Sequence, residues 1–142
     1  MLRPADNAAG SFRNVESLVL IEDATVRDVV LVGLSNIPGV RAESPAGFPD
    51  VDRARRRPYE SIFVDHNPNR GGSVNRLARL CELAPNAEII VVAEERAARA
   101  LQSERTKLKI SGFLELPMDV REFFKLGVRL RKRFDTRKIH KT

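Results

Sequence analysis

The sequence predicts a doubly wound α/β protein, with a five-stranded parallel sheet and helices on both faces. Short apolar runs alternate five times with segments of helical length, and there is no room for a sixth pair. β-Branched and aliphatic runs bounded by polar residues are typical of strands buried on both faces of a parallel sheet. Strands that alternate with helices in this way form βαβ units with right-handed crossovers.

Each element has its own signal in the sequence. Apolar runs predict strands at residues 18–21, 40–44, 59–64, 88–93 and 110–114. Helical periodicity predicts helices at residues 25–36, 73–84, 94–107 and 119–134, while residues 50–57 read as one or two polar helical turns. Thr25 and Ser73 are the expected N-caps of the first two long helices. Phe123, Phe124 and Val128 are expected in the buried stripe of the last helix.

Length and composition indicate one domain. A chain of 142 residues with 42% hydrophobic content is long enough to bury a single core. We expect a loose leader at residues 1–16, the folded domain at 17–134 and a basic tail at 135–142. The single cysteine, Cys81, excludes a disulfide framework and reads as a small buried side chain. The N-terminus lacks the apolar region of a signal peptide, and no run is long enough to insert into a membrane, so we expect a cytoplasmic protein.

The net charge of +6 is unevenly distributed. Residues 125–142 hold eight Lys or Arg against one Asp, which gives +7, and the first 124 residues carry −1. Such a segment suits nucleic acid, an anionic surface or an acidic partner. It also suits a solvated helix end, because cations stabilise the C-terminal end of the helix dipole.

Acidic side chains follow two of the predicted strands. The run Ser17–Ile21 leads into Glu22 and Asp23, and the run Ser61–Val64 leads into Asp65. In open α/β sheets the carboxyl ends of the strands face the ligand crevice. If the two strands are neighbours, three carboxylates converge there, and such a group attracts a metal ion, a proton or a phosphoryl group.

Together with two further landmarks, these acids resemble the site of a response-regulator receiver domain. Asn67 lies two residues after Asp65, and the turn Gly112–Pro117 follows the fifth strand. The resemblance covers about residues 16–134 and implies the strand order 2-1-3-4-5. It also implies that Asp65 is the phosphoacceptor position. The implied ligands of a divalent cation are three carboxylates and one backbone carbonyl, those of Glu22, Asp23, Asp65 and Asn67.

The chain departs from the receiver pattern at two positions. Where the family has a hydroxyl residue at the end of the fourth strand, this chain has Val92. Where the family has a Lys before the Pro that follows the fifth strand, this chain has Leu116. Phe113 matches the aromatic switch position, yet without the hydroxyl it has no rearrangement to follow. Because both lost groups bind phosphoryl oxygens, we interpret the chain as a degenerate pseudo-receiver.

The remaining acids leave three interpretations open. They could still bind Mg²⁺ weakly, although no cofactor is required, or they could be solvated at a loop edge. Alternatively, Arg70, Arg96 or His66 could act as a counter-ion in place of the missing Lys. A single His in a loop, without a second His nearby, is otherwise expected at the surface.

The expected function is that of a non-catalytic signalling protein that docks a protein partner, such as a kinase, a regulator or a second copy. In the family, the face made by the fourth helix, fifth strand and fifth helix commonly mediates such contacts and homodimers. The resemblance places four interface candidates near this face: Arg96, Arg99, Leu101 and Arg121.

Two other functions are considered. The chain could be the receiver module of a two-component transcription regulator that is phosphorylated at Asp65, with its DNA-binding output absent or formed by the basic C-terminal segment. Nucleic-acid binding is the less favoured partner, since no helix-turn-helix follows. A haloacid-dehalogenase-like phosphohydrolase is disfavoured, because such enzymes need a second acid at the place of Asn67.

Overall fold

The computed structural model describes residues 15–45 and 50–117, together with residues 121, 123–125, 128, 129 and 132 of a C-terminal helix. Five parallel strands form one sheet in the order β2-β1-β3-β4-β5. Their bounds are β1 Val15–Leu20, β2 Val40–Glu43, β3 Ser61–Asp65, β4 Glu88–Glu94 and β5 Gly112–Leu116. The predicted fold class and strand order are therefore confirmed. Val15 and Glu16, which we assigned to the leader, already belong to β1, while the predicted tail at 135–142 lies outside the described residues.

Within residues 15–45 and 50–117, four helices and one 3₁₀ helix lie between the strands. Their bounds are α1 Ala24–Ser35, the 3₁₀ helix Val51–Arg55, α2 Ser73–Leu83, α3 Glu95–Gln102 and α4 Arg105–Leu108. The single helix predicted at 94–107 is thus divided in two. The Ser103 hydroxyl donates to the Ala100 carbonyl (3.1 Å) and the Glu104 amide donates to the Leu101 carbonyl (2.9 Å), so side-chain and turn hydrogen bonds end α3 at this point.

The sheet is covered on both faces, each with its own core. On one face, α1 and the C-terminal helix pack over buried side chains of β1, β3 and β4. On the other face lie the 3₁₀ helix, α2, α3 and α4. Successive residues of a strand point to opposite faces, so neighbouring side chains of β3 and β4 enter different cores. For example, Ile62 and Val64 join the second core, whereas Phe63 joins the first.

The C-terminal helix contacts the rest of the domain through Phe123. Its ring stacks on that of Phe63, with a centroid distance of 6.2 Å and an interplanar angle of 14°. The same ring lies against Gly33 of α1, where a Cβ atom would overlap it. Phe124 and Val128 are 63% and 45% exposed, so the prediction that they join the buried stripe was wrong. Both side chains are at the surface, away from the contact that Phe123 makes with Phe63 and Gly33.

Both predicted N-caps differ from the observed ones. Asp23, and not Thr25, caps α1, and its Oδ1 accepts a hydrogen bond from the Val26 amide (3.0 Å). At α2 the capping position is Gly72, with φ 81°, and Ser73 is the first helical residue. Short polar side chains compete for these positions, and the loop geometry decides which of them reaches the free amides.

Candidate functional site

The acidic positions lie at the carboxyl ends of the strands, as expected for an open parallel sheet. They line an open cleft of about 1120 Å³. Asp65, the last residue of β3, lies in register with Val92 of β4. Leu116 ends β5 and lines the same cleft. The fold therefore brings Asp65, the predicted phosphoacceptor, together with Val92 and Leu116, where the chain departs from the receiver pattern.

The side chain of Asp65 is held by hydrogen bonds on both oxygens. Oδ2 accepts from the backbone amide of Glu22 (3.0 Å), and Oδ1 accepts from Nη1 of Arg76 (2.8 Å). The same Nη1 donates to the Asp65 carbonyl (3.0 Å), and Nη2 donates to the Leu20 carbonyl (3.3 Å). The side chains of Asp65 and Arg76 are only 21% and 16% exposed. This ion pair is thus largely withdrawn from water, where charge-assisted hydrogen bonds are strong.

The other two predicted ligand carboxylates have separate partners. Glu22 forms an ion pair with Arg70 of the β3–α2 loop. Asp23 is occupied as the N-cap of α1. Within the described part of the chain, no three His, Cys, Asp or Glu side chains are grouped so that they could hold a metal ion. This arrangement does not fit a divalent cation, and weak Mg²⁺ binding stays a prediction that the geometry disfavours.

Asn67 organises the loop after β3. Its Oδ1 accepts from the Asn69 amide (2.9 Å), and its carbonyl oxygen accepts from the Arg70 amide (3.0 Å). The side-chain bond is an Asx turn, which is a common reason for Asn at the start of a loop. The role of its carbonyl oxygen as a cation ligand stays a prediction.

His66 is buried, so the prediction of a surface histidine was wrong. Its amide donates to the Val92 carbonyl (3.0 Å), which holds the chain against β4 just after the strand ends. Its Nδ1 is 2.7 Å from the Ser73 hydroxyl, so the first residue of α2 serves the histidine and not the helix end. Burial lowers the pKa of His66; the neighbouring Asp65 opposes this, and Arg76 adds to it.

Apolar side chains stand at the two positions where the resemblance implies phosphate-binding groups. Val92 is 1% exposed and belongs to the core under α1, and half-buried Leu116 packs against that core. Neither can donate a hydrogen bond to an anion in the cleft. Phe113 is half-buried and packs against the other core, beside Val91 in the register of β4 and β5.

The four interface candidates lie in different surroundings. Leu101 is 4% exposed and packs in the core, so it is not a surface contact and that prediction was wrong. Arg99 is exposed and paired with Glu95 on the same helix (3.2 Å). Arg96 is exposed and lines the cleft, and Arg121 is exposed on the C-terminal helix.

Arg76 is the residue that the sequence analysis missed. We considered Arg70, Arg96 and His66 as counter-ions, and of these only Arg70 binds one of the acids. Arg76 lies in the first turn of α2, eleven residues after Asp65, and the intervening loop brings it back over the strand end. The sequence signal for this contact was the position of Arg76 one turn after Gly71 and Gly72. A glycine turn can reverse the chain direction, which returns the start of α2 to the end of β3.

Comparisons with known proteins show the fold. No family model matches the chain, and no curated protein sequence matches it. Solved structures do match, and among them are a chemotaxis response regulator and a signal receiver domain. The fold of this chain is therefore that of a CheY-like response-regulator receiver domain.

Three of these structures illustrate the likeness. Chemotaxis protein CheY4 of Vibrio cholerae has a TM-score of 0.67 and 16% identity, over 82% of this chain and 98% of that chain. A putative pilus assembly protein (cpaE) of Burkholderia thailandensis has a TM-score of 0.67 and 17% identity, over 82% and 97%. A response regulator protein of Burkholderia pseudomallei, with a phosphorylated aspartic acid and a calcium ion, has a TM-score of 0.57 and 26% identity, over 77% and 64%.

One further finding concerns membranes. Among the described residues, no helix combines the length and the apolar character that crossing a bilayer requires.

Proposed function

We propose that this chain is a non-catalytic signalling protein, an atypical receiver domain that acts by protein–protein interaction and independently of aspartyl phosphorylation. The observation that carries the proposal is the state of Asp65. Both of its oxygens accept hydrogen bonds from the protein itself, one from Arg76 and one from the Glu22 amide. Hydrogen bonds to both oxygens and the charge of the Arg76 guanidinium make the carboxylate a weaker nucleophile towards a phosphoryl group.

Two of the groups that would stabilise the product are also missing around Asp65. A phosphoryl group brings three acceptor oxygens and nearly two negative charges. Val92 and Leu116 supply no donor, and each missing charge-assisted hydrogen bond removes about 1.5–3 kcal/mol. The Arg76 guanidinium already neutralises Asp65, as a cation would in a phosphorylatable site. These features support the proposal that the receiver fold serves to bind a protein partner and not to accept a phosphoryl group.

The main competitor is a receiver module that is phosphorylated at Asp65 within a two-component transcription regulator. A direct test uses the full chain with acetyl phosphate and Mg²⁺, followed by intact mass spectrometry. We expect no phosphoryl adduct. Stoichiometric phosphorylation of Asp65, abolished in Asp65→Asn, would overturn the proposal and support the competitor.

A variant that restores the lost groups provides the positive control. Arg76→Gln combined with Val92→Thr and Leu116→Lys frees Asp65 and returns both phosphate-binding groups. We expect this triple variant to acquire the adduct, provided that its circular dichroism spectrum matches that of the parent and that it still melts cooperatively. Arg79→Gln is the matched control for the arginine change, since Arg79 lies on the same helix but pairs with exposed Asp52. It should leave the parent's behaviour unchanged.

A further inference from the structure

β2 is an edge strand whose outer side is exposed. It pairs with β1 on one side, and among the described residues no other strand lies beside it. Arg41 and Ala42, the two middle residues of the strand, are exposed. An edge strand presents a row of backbone amide and carbonyl groups to which a further strand can bind. The outer side of β2 is therefore a surface suited to strand pairing.

The ladder with β1 shows which backbone groups of β2 point outward. The Val15 amide of β1 donates to the Gly39 carbonyl (2.7 Å). In a parallel ladder such bonds recur at every second residue, so the backbone groups of Arg41 and Glu43 also face β1. The amide and the carbonyl of Ala42, which lies between them, therefore point away from the sheet.

Two neighbouring residues extend this outward row. By the same alternation, the backbone groups of Val40 and Ser44 point to the outer side, and Pro45 favours an extended conformation at Ser44. The Val40 amide already donates to the Ile37 carbonyl (3.2 Å), which leaves the Val40 carbonyl as an acceptor. No hydrogen bond among the described residues uses the Ser44 amide or the outward groups of Ala42.

The charges of β2 favour one antiparallel register with a second copy of the chain. Arg41 and Glu43 are two residues apart, so their side chains lie on the same face of the strand. If the pairing were centred on Arg41 or on Glu43, that residue would face its own like charge. If it is centred on Ala42, each Arg41 lies opposite the Glu43 of the other copy. Opposite charges directly across two strands are stabilising and like charges are destabilising.

This choice of register does not require either charge to be unpaired. Arg41 lies 3.9 Å from Glu16, and its side chain is 65% exposed. Glu43 forms an ion pair with Arg53 (3.0 Å), and its side chain is 29% exposed. The backbone hydrogen bonds supply the attachment, and the charges determine which residues lie opposite one another.

We infer that a second copy of this chain binds to the outer edge of β2, so that the two sheets join through antiparallel β2 strands. The two Ala42 residues exchange amide–carbonyl hydrogen bonds, and each Ser44 amide donates to the Val40 carbonyl of the other copy. Pro38 and Pro45 end the pairing on both sides. Because the same edge is used in both copies, the assembly closes as a dimer. The paired segment is short, so the dimer is weak.

Self-association and hydrogen exchange of the full chain test this inference. Sedimentation equilibrium from about 10 µM to about 1 mM covers the range of a weak dimer, and we expect a monomer–dimer equilibrium within it. In the ¹⁵N-labelled chain, the Ala42 and Ser44 amides should be protected at high concentration and exchange freely on dilution. Protection of the Arg41 amide should change less, because this amide faces β1.

Two variants with matched controls locate the interface. Ala42→Pro removes the outward amide without touching the ladder to β1, so it should weaken dimerisation by at least about tenfold. Ala42→Ser keeps that amide and should dimerise like the parent. Arg41→Glu, which would face Glu43 of the other copy, should weaken the dimer by about tenfold. Lys107→Glu makes the same charge reversal at an exposed lysine of α4 and should leave the dimer unchanged. Arg41→Glu keeps the test decisive if Ala42→Pro fails to fold.

Three results would overturn the inference: a monomer throughout the concentration range, a dimer whose Ala42 amide exchanges freely, or equal effects of the variants and their controls. The second result would include a dimer formed through β5, which lies at the opposite edge of the sheet. The inference goes beyond the proposed function, since β1 separates β2 from β3 and its Asp65. Phosphorylation of Asp65 would therefore contradict the proposed function without contradicting the dimer.

Discussion

At the scale of single residues, the decisive contact is that between Arg76 and Asp65. A receiver site that uses a divalent cation must bind it from solution, whereas the Arg76 guanidinium is delivered by the chain itself. Its donors reach the Asp65 side chain and the carbonyls of Asp65 and Leu20, so it ties α2 to the ends of β1 and β3. A counter-ion that also joins three elements has a structural role as well as an electrostatic one.

We predict that Arg76→Gln lowers the free energy of unfolding by about 1–3 kcal/mol, because Asp65 is left largely buried without its counter-ion. Urea denaturation followed by circular dichroism measures the change. The control is Arg79→Gln, whose ion pair with Asp52 is about half exposed and should contribute less than about 1 kcal/mol. Equal losses in the two variants would contradict a special role for Arg76.

His66 makes the stability depend on pH. Because its pKa is lowered in the folded state by burial, the unfolded chain takes up the proton first as the pH falls below the ordinary value of 6.5. The free energy of unfolding should therefore decrease from about pH 7 towards pH 5. Below the pKa of His66 in the folded state, this histidine should make no further change to it. Denaturation at several pH values measures this slope.

Two variants assign that slope to the histidine. His66→Gln should flatten the dependence in this range, since it removes the titrating group. Ser73→Ala removes the hydroxyl next to Nδ1 but keeps the imidazole, so a slope should remain. A slope that is unchanged in His66→Gln would show that other groups cause it.

At the scale of elements, the contact between α1 and the C-terminal helix depends on a glycine. A Cβ at Gly33 would overlap the Phe123 ring, which cannot swing away because it is stacked on Phe63. We expect Gly33→Ala to lower the free energy of unfolding by about 1–3 kcal/mol, although alanine is the better helix former. Thermal and urea melts measure the change.

The matched control for this substitution is Gly71→Ala. A Cβ at Gly71 meets no atom within 4 Å, so the change should be close to neutral. If Gly33→Ala were stabilising, as helix propensity alone predicts, the close approach of the two helices would be contradicted.

The elements themselves were largely predictable, and their ends were not. All five strands lie at the predicted runs, because a buried parallel strand needs a continuous apolar sequence. β5, however, is shifted by two residues towards the C-terminus, from the predicted 110–114 to Gly112–Leu116, so Leu116 is the end of the strand and lines the cleft. The N-cap of α1 moved from Thr25 to Asp23, and the ambiguous segment at 50–57 became a 3₁₀ helix with Val51 and Ala54 buried. Such ends depend on loop geometry, which local sequence does not specify.

At the scale of the whole molecule, the absence of a convergent acid group among the described residues has a thermodynamic consequence. A ligand that binds only the folded state raises the melting temperature by mass action. We therefore predict that millimolar Mg²⁺ leaves the melting temperature of the parent chain unchanged at constant ionic strength. Differential scanning fluorimetry measures it, with Ca²⁺ and Na⁺ as comparisons.

A specific rise with Mg²⁺, removed by Asp65→Asn but not by Asp52→Asn, would contradict this prediction. It would show that the cation displaces Arg76 and Arg70 from the acids. The acids would then form a working metal site, and the proposal of an atypical receiver domain would fail.

The sequence by itself determined the fold class, the strand order through the resemblance, and the place of Asp65, Val92 and Leu116. Those follow from apolar runs and from residue order, which are local or linear properties. Only the tertiary structure decided that Arg76 neutralises Asp65, that His66 is buried and that Phe124 is exposed. The physical reason is that ion pairing and burial depend on distances across the loop between β3 and α2 and across the two packed helices, and a linear pattern does not contain those distances.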